Sequence, residues 1–175
     1  MTAAFELLGE RGYADLSVEG IAVRAGVGKT TIYRWWETKP ELAVDAFFAM
    51  TEADLAFPDT GSAREDFRLQ VLQLAKVLRG PVGNAMSSMI SGARFDPQLH
   101  HAITTRWIDP RAVWGFERMS RAIDDGECVE GVDPRLSLEI IYSPIYARLL
   151  FGRELPSVDE MDRMMQIAFR GIFIR

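Results

Sequence analysis

The 175-residue sequence is poor in the residues that carry chemistry. A single cysteine, Cys128, excludes a disulfide within the chain and fits a reducing cytoplasm. Glu127 precedes it and no basic residue stands near, a setting that raises a thiol pKa, so an inert thiol is expected. The two histidines, His100 and His101, are adjacent, and on a helix they point about 100° apart instead of forming an i, i+4 metal pair. No Ser-His-Asp order or paired-carboxylate signature is present, so no catalytic residue, metal site or cofactor is expected. No apolar run approaches the roughly eighteen residues of a membrane span. The opening "MTAAFELLGERG" lacks a basic stretch before its apolar residues, which argues against a signal peptide. Basic residues, 20 of them, are outnumbered by 25 acidic ones. The net charge of -5 does not advertise a nucleic-acid binder, although a local patch, not the net charge, governs contact with phosphates.

What the chain does have is hydrophobic content of 48% with 26% charge, too apolar for general disorder. Its length suits one good core, or a small module attached to a larger one. Strand-like alternation is missing, and no Asn-Gly or Asp-Gly signal separates two β-rich runs. Helix punctuation is plentiful. Ser17 is placed to cap "VEGIAVRA", with Gly26 ending it in a turn of positive φ. "TKPE" and "SVDE" read as capping boxes, Thr38 with Glu41 and Ser157 with Glu160. Asp96-Pro97, Asp109-Pro110 and Asp133-Pro134 fit an N-cap followed by proline at the first helical position. At the second of these, a kink in one long helix would look the same. The marks predict helices near 2–11, 17–25, 28–35, 39–55, 63–79, 82–94, 97–107, 110–125, 134–152 and 157–174. "FPDTGSAR" is the main loop and a candidate boundary. The expected fold is all-α, a small N-terminal helical unit joined to a larger helical bundle.

The stretch "RAGVGKTTIYRWW", residues 24–36, admits two chemistries. Gly28-Lys29-Thr30 matches the end of a phosphate-cradling loop, but the opening glycine should stand at Val23. Val18, Ile21, Ala22 and Ala25 repeat at spacings of three and four, so a helix and not a strand precedes it. No apolar strand ending in aspartate follows to hold magnesium. A helix-turn-helix explains more. Ala22 lets two helices touch, Gly26 turns the chain, Val27 follows as an apolar plug, and Ile32 with Trp36 pins the second helix from behind. Lys29, Thr30, Thr31, Tyr33 and Arg34 then lie on its outer or leading faces, where a second helix enters the major groove. Lys29 and the N–H groups of the helix start suit phosphate, the threonines suit base edges, and Gly28 caps without bulk. From Arg24 to Lys39 four basic residues stand against one acid, about +3 in a negative chain.

In this order of landmarks, "FELLGERGYADLSVEGIAVRAGVGKTTIYRWWETKPELAVDAF" resembles the N-terminal domain of the tetracycline-repressor (TetR/AcrR) family of bacterial regulators. The resemblance covers about the first fifty residues. It implies a three-helix helix-turn-helix DNA-binding domain over residues 1–47 and a ligand-binding and dimerisation bundle over 48–175. It also implies that Lys29, Thr30, Thr31 and Tyr33 face the groove, that Lys39 contacts phosphate, and that Ser17 caps the second helix and touches a phosphate. Family members usually carry a basic arm before the position where this sequence begins. They often have Phe where Trp36 stands.

Residues from about 55 onward resemble the family's effector-binding and dimerisation half, most clearly in "RAIDDGECVEGVDPRLSLEIIYSPIYARLLFG". The last two helices are apolar on more than one face, as helices buried against more than one neighbour are. Leu138, Ile141, Tyr142, Ile145 and Leu149 form one stripe, and Ile140, Pro144, Ala147 and Phe151 another. Met161, Met165, Ala168 and Ile172 line the final helix. The family resemblance implies a two-fold, four-helix dimer face here, assigned to Tyr142, Ile145, Leu149, Met161, Met165, Ala168 and Ile172. Phe67, Met86, Met89, Phe95, Trp107, Trp114 and Phe116 are candidates for a ligand cavity, with ordinary core packing as the alternative for each. Arg94, Arg106 and Arg148 are candidate anion partners on the same terms.

These features lead to a cytoplasmic, homodimeric transcription regulator that binds operator DNA and a small-molecule effector and crosses no membrane. Its rivals are an all-α interaction module that no longer reads DNA, and a small nucleotide-binding ATPase built on "GVGKT".

Overall fold

The computed structural model describes residues 1–174. Among them are ten α-helices and no strand beyond an isolated antiparallel bridge between Cys128 and Phe173. The helices are α1 (Thr2–Arg11), α2 (Val18–Ala25), α3 (Lys29–Tyr33), α4 (Lys39–Thr51), α5 (Ala63–Val77), α6 (Gly80–Ala93), α7 (Pro97–Ile103), α8 (Asp109–Asp124), α9 (Pro134–Leu150) and α10 (Val158–Phe169). A 3₁₀ turn, Glu52–Leu55, extends α4, and a π-helical turn, Thr104–Ile108, follows α7. Packing divides the chain into two compact units. The first combines Met1–Ala53 with Leu78–Asp109, and the second combines Asp54–Val77 with Pro110–Arg175. These units cut across the expected sequence boundary at 47/48, because α6 and α7 pack with the N-terminal helices.

Most predicted helix ends are made by the groups the sequence advertised. Ser17 accepts the Gly20 N–H, and Gly26 closes α2 at φ 66, ψ 31, where a Cβ is disfavoured. Both capping boxes form, at Thr38/Glu41 and Ser157/Glu160. Asp96 caps α7 through the N–H groups of Gln98 and Leu99, and Asp133 caps α9 through that of Leu136. Asp109 is an exception. Its angles, φ -59 and ψ -45, are helical, so the chain runs without a break through the π turn into α8 and Asp109 is not an N-cap. The final helix also ends sooner than expected, at Phe169 instead of 174. Phe173 leaves the helix to pack against Phe169 (centroids 5.2 Å) and Phe67 (6.1 Å). Its neighbours Ile172 and Ile174 take backbone hydrogen bonds with Val129 (2.9 Å) and Glu127 (2.8 Å).

In the first unit α4 is the central helix. Leu42, Ala43, Val44, Ala46 and Phe47 are buried, between α1 on one side and α7 with the π turn on the other. Trp107 meets Phe47 edge-on at 4.9 Å, and Phe5 approaches the same ring at 6.0 Å. In the second unit α5, α9 and α10 pack together. α8 meets α9 closely at Gly115, where an added Cβ would lie 3.1 Å from Leu138. Arg118 of α8 is buried there, donating to Asp66 of α5 (2.6 Å) and to Glu127 (3.1 Å). Thr60 donates to Asp66 through both N–H and hydroxyl, at 2.6 and 2.7 Å.

Candidate nucleic-acid interface

The hairpin α2–α3 is built as the sequence suggested on its inner side and differently on its outer side. Val18, Ile21 and Ala22 of α2 and Ile32 of α3 are buried, which fixes the two helices against their unit. Trp36 is half-buried and donates its Nε1–H to Asp45 of α4 at 2.9 Å. Val27 is a looser plug than expected, being 42% exposed, and its N–H donates to the Ala22 carbonyl at 3.0 Å. The second helix is shorter than expected, ending at Tyr33 instead of residue 35, with Trp35 and Trp36 both bonded back to the Ile32 carbonyl.

This leaves Gly28, Lys29, Thr30, Thr31, Tyr33 and Arg34 contiguous and exposed, with Ser17 exposed at the start of α2. Trp35, 70% exposed with the Arg34 guanidinium 5.8 Å over its ring, belongs to the same surface and was missed by sequence reasoning. Lys39 is only half-exposed. Its ammonium donates to the Tyr13 carbonyl at 3.2 Å and sits 4.1 Å over the Tyr13 ring. The Tyr13 hydroxyl donates in turn to Asp96 at 3.0 Å, and the Tyr13 N–H to Ser88 at 3.0 Å. Burial first, then the Asp96 carboxylate, pushes the Tyr13 phenol far up, so it remains a donor.

The positive patch counted along the sequence is smaller in space. Arg24 turns to α1, where Glu10 (2.8 Å) and Glu6 (3.4 Å) take its guanidinium. Lys29 is paired with Glu19 at 2.6 Å. The hydrogen bond to Lys29 holds Glu19 below the usual carboxylate range, and the same bond raises Lys29. These acids lie outside residues 24–39, so a charge count over that stretch could not find them. A count extended back to residue 6 would have.

The ligand-cavity candidates divide between core and surface. Met86, Met89 and Trp107 are buried in the first unit and Phe67 in the second. Trp114 and Phe116 on α8 are partly exposed, while Phe95, 88% exposed, lines nothing. Arg106 is no free anion partner, since it bridges Asp45 (2.7 Å) and Glu41 (2.9 Å) of α4. Within the single chain, the stripe expected at a dimer face is largely covered. Ile145, Leu149, Met161, Met165 and Ile172 are buried inside their own bundle, with Tyr142 and Ala168 half-buried. Apolar groups left uncovered here include Leu136, Ile140, Leu150 and Phe151 on or next to α9, and Val158 and Ile167 on α10. Cys128 is buried with its thiol 3.9 Å from the Met119 sulfur; burial first, then Glu127, pushes it up, as an inert thiol requires. Among the described residues no cluster of metal-ligating side chains occurs, and no helix is long and apolar enough to cross a membrane.

A recognition hairpin on an all-helical chain of this layout defines a helix-turn-helix protein. The family comparison is specific. Residues 1–46 match the model described as bacterial regulatory proteins, tetR family, and residues 57–168 match the tetracyclin repressor-like C-terminal domain. The chain belongs to the TetR family of helix-turn-helix transcriptional regulators, which are typically repressors with a ligand-binding C-terminal domain and are not enzymes. Members of this family bind DNA and small-molecule effectors and act as dimers. The chain is 34% identical over 173 residues to the uncharacterized HTH-type transcriptional regulator YdeS of Bacillus subtilis, covering 98% of this chain and 87% of that protein. It is 29% identical to the DNA-binding transcriptional repressor TetR of Mycobacteroides abscessus, covering 89% of this chain and 82% of that one. Among solved structures, the TetR family transcription regulator SCO0332 superimposes with TM-score 0.82 at 32% identity, covering 98% of this chain and 95% of that chain.

Proposed function

We propose that this regulator is a cytoplasmic homodimeric repressor that leaves a pseudo-palindromic operator when a small-molecule effector binds. Residues 1–47 form the reading module and 48–175 the effector and dimer module. Two copies of α3 enter successive major grooves about 34 Å apart. Thr30 and Thr31 approach base edges, while Ser17, Gly28, Lys29, Tyr33, Arg34 and Lys39 meet the backbone. The observation that carries this reading is the contiguous exposed face from Gly28 to Arg34, fixed from behind by the buried Ile32. The uncovered Leu136, Ile140 and Ile167 support a second copy packed on α9 and α10. The effector acts by preferring the conformation that binds DNA poorly, and its effect cannot exceed that preference.

The test is selection of bound fragments from the source genome, then titration of the best fragment at two salt concentrations. An enriched inverted repeat with salt-sensitive affinity is expected. A stable dimer with no enriched sequence and no salt-dependent affinity would replace this reading with a non-DNA-binding interaction module. A magnesium-dependent ATP complex lost in Lys29→Ala would replace it with a nucleotide enzyme.

A further inference from the structure

The ion pair between Glu19 and Lys29 joins the second residue of α2 to the first residue of α3, across the turn of the reading hairpin, at 2.6 Å. The two side chains are 61% and 52% exposed, so no packing holds the pair closed and water competes for both ends. It sits at the edge of the surface that carries Thr30, Thr31, Tyr33 and Arg34. We infer that Glu19 is a counter-charge that restrains Lys29 and keeps this hairpin's affinity for DNA of unselected sequence low. The inference rests on the reading that the α3 face meets DNA.

The argument is one of ion accounting. A phosphate reaching Lys29 must displace the Glu19 carboxylate and leave it unpaired beside a polyanion. The displaced carboxylate then retains a cation that phosphate neutralisation would otherwise have released. Each phosphate neutralised contributes about 0.9 to the slope of log K against log salt, so one restrained lysine removes about one unit from that slope. Binding to unselected sequence is essentially all electrostatic and feels this in full, whereas base contacts by the threonines do not. Arg24 is restrained in the same way by Glu10 and Glu6, so two of the four basic residues in Arg24–Lys39 have carboxylate partners before DNA arrives. Neutralising Glu19 frees Lys29 without touching the buried face of either helix.

The experiment titrates the full chain with a fluorescent duplex of unselected sequence, and with the selected operator, across a series of salt concentrations. The proteins are wild type, Glu19→Gln, Lys29→Gln and the double variant. Glu19→Gln is expected to tighten the unselected duplex roughly five- to tenfold at about 0.1 M salt and to steepen its slope by about one. In the Lys29→Gln background the same change should have little effect, because the partner it frees is gone. An equal gain in both backgrounds, or no gain in either, overturns the inference. So does a loss confined to the operator, which would make Glu19 a base-reading group. If wild type shows no salt-dependent DNA affinity, the interface reading falls, and the inference with it. Circular dichroism of all four proteins checks that the exposed substitutions leave the helices intact.

Discussion

Charge is used in opposite ways in the reading hairpin and inside the second unit. On the hairpin, Lys29–Glu19 and Arg24–Glu10 are exposed, held by one or two contacts, and able to exchange partners. In the second unit, Arg118 lies with Asp66 at 4% and 0% side-chain exposure, and Thr60 and Glu127 complete the set. An exposed pair adds little to stability, since water competes with it and salt screens it. A buried pair has lost its water, so removing either partner leaves an uncompensated polar or charged group behind. The first arrangement suits groups that must let go when a polyanion arrives. The second suits a fixed joint between helices.

That contrast can be attacked directly. Asp66→Ala leaves Arg118 buried without its main partner and should cost about 3–5 kcal/mol, measured by urea unfolding. A cost near zero would mean that water reaches the joint. Acid should act on the same joint. Burial alone would push Asp66 up, but hydrogen bonds from Thr60 and Arg118 outweigh it and hold it below the ordinary aspartate value of 3.8. Asp96, held down mainly by the Leu99 N–H, behaves alike. Their stabilisation is therefore complete above that value and is lost progressively as the pH falls below it. Unfolding midpoints between pH 6 and pH 2 should drop most steeply at the acid end, less so in Asp66→Asn. On the hairpin side, Lys39→Ala should weaken binding to every DNA sequence and reduce the salt slope by about one unit. Thr38→Ala, which removes one half of a capping box beside it, should cost about 1 kcal/mol in unfolding without changing that slope. Smallest of all, Glu19→Gln should leave the unfolding midpoint unchanged within error while altering DNA affinity, since its pair is exposed.

The helix boundaries were legible because they are local. A serine, threonine or aspartate three residues before a backbone N–H makes the same cap wherever the helix lies, and Ser17, Thr38, Asp96, Asp133 and Ser157 all did. Asp109 carried the same signal and failed, because the preceding π turn had already satisfied the helix start. The exposed face of α3 was legible from Ile32 and its spacing. The partners of that face were not. Glu19 lies ten residues from Lys29, and Tyr13 twenty-six from Lys39, so only the tertiary fold brings them together. The apolar stripes of α9 and α10 were visible as stripes, yet which stripe turns inward depends on helix rotation. Ile145 and Met165 proved interior, and Ile140 and Ile167 were left outside.

The discontinuous first unit also has a consequence in time. The Tyr13 amide is satisfied by Ser88, its hydroxyl by Asp96, and Phe47 is covered by Trp107. During synthesis the reading hairpin leaves the ribosome some seventy residues before the tryptophan that closes its core. A nascent chain stopped near residue 53 leaves Phe47 of α4 without Trp107, and Tyr13 without Ser88 and Asp96. The hairpin is therefore encoded first, while part of the core behind it is supplied by helices encoded well after it.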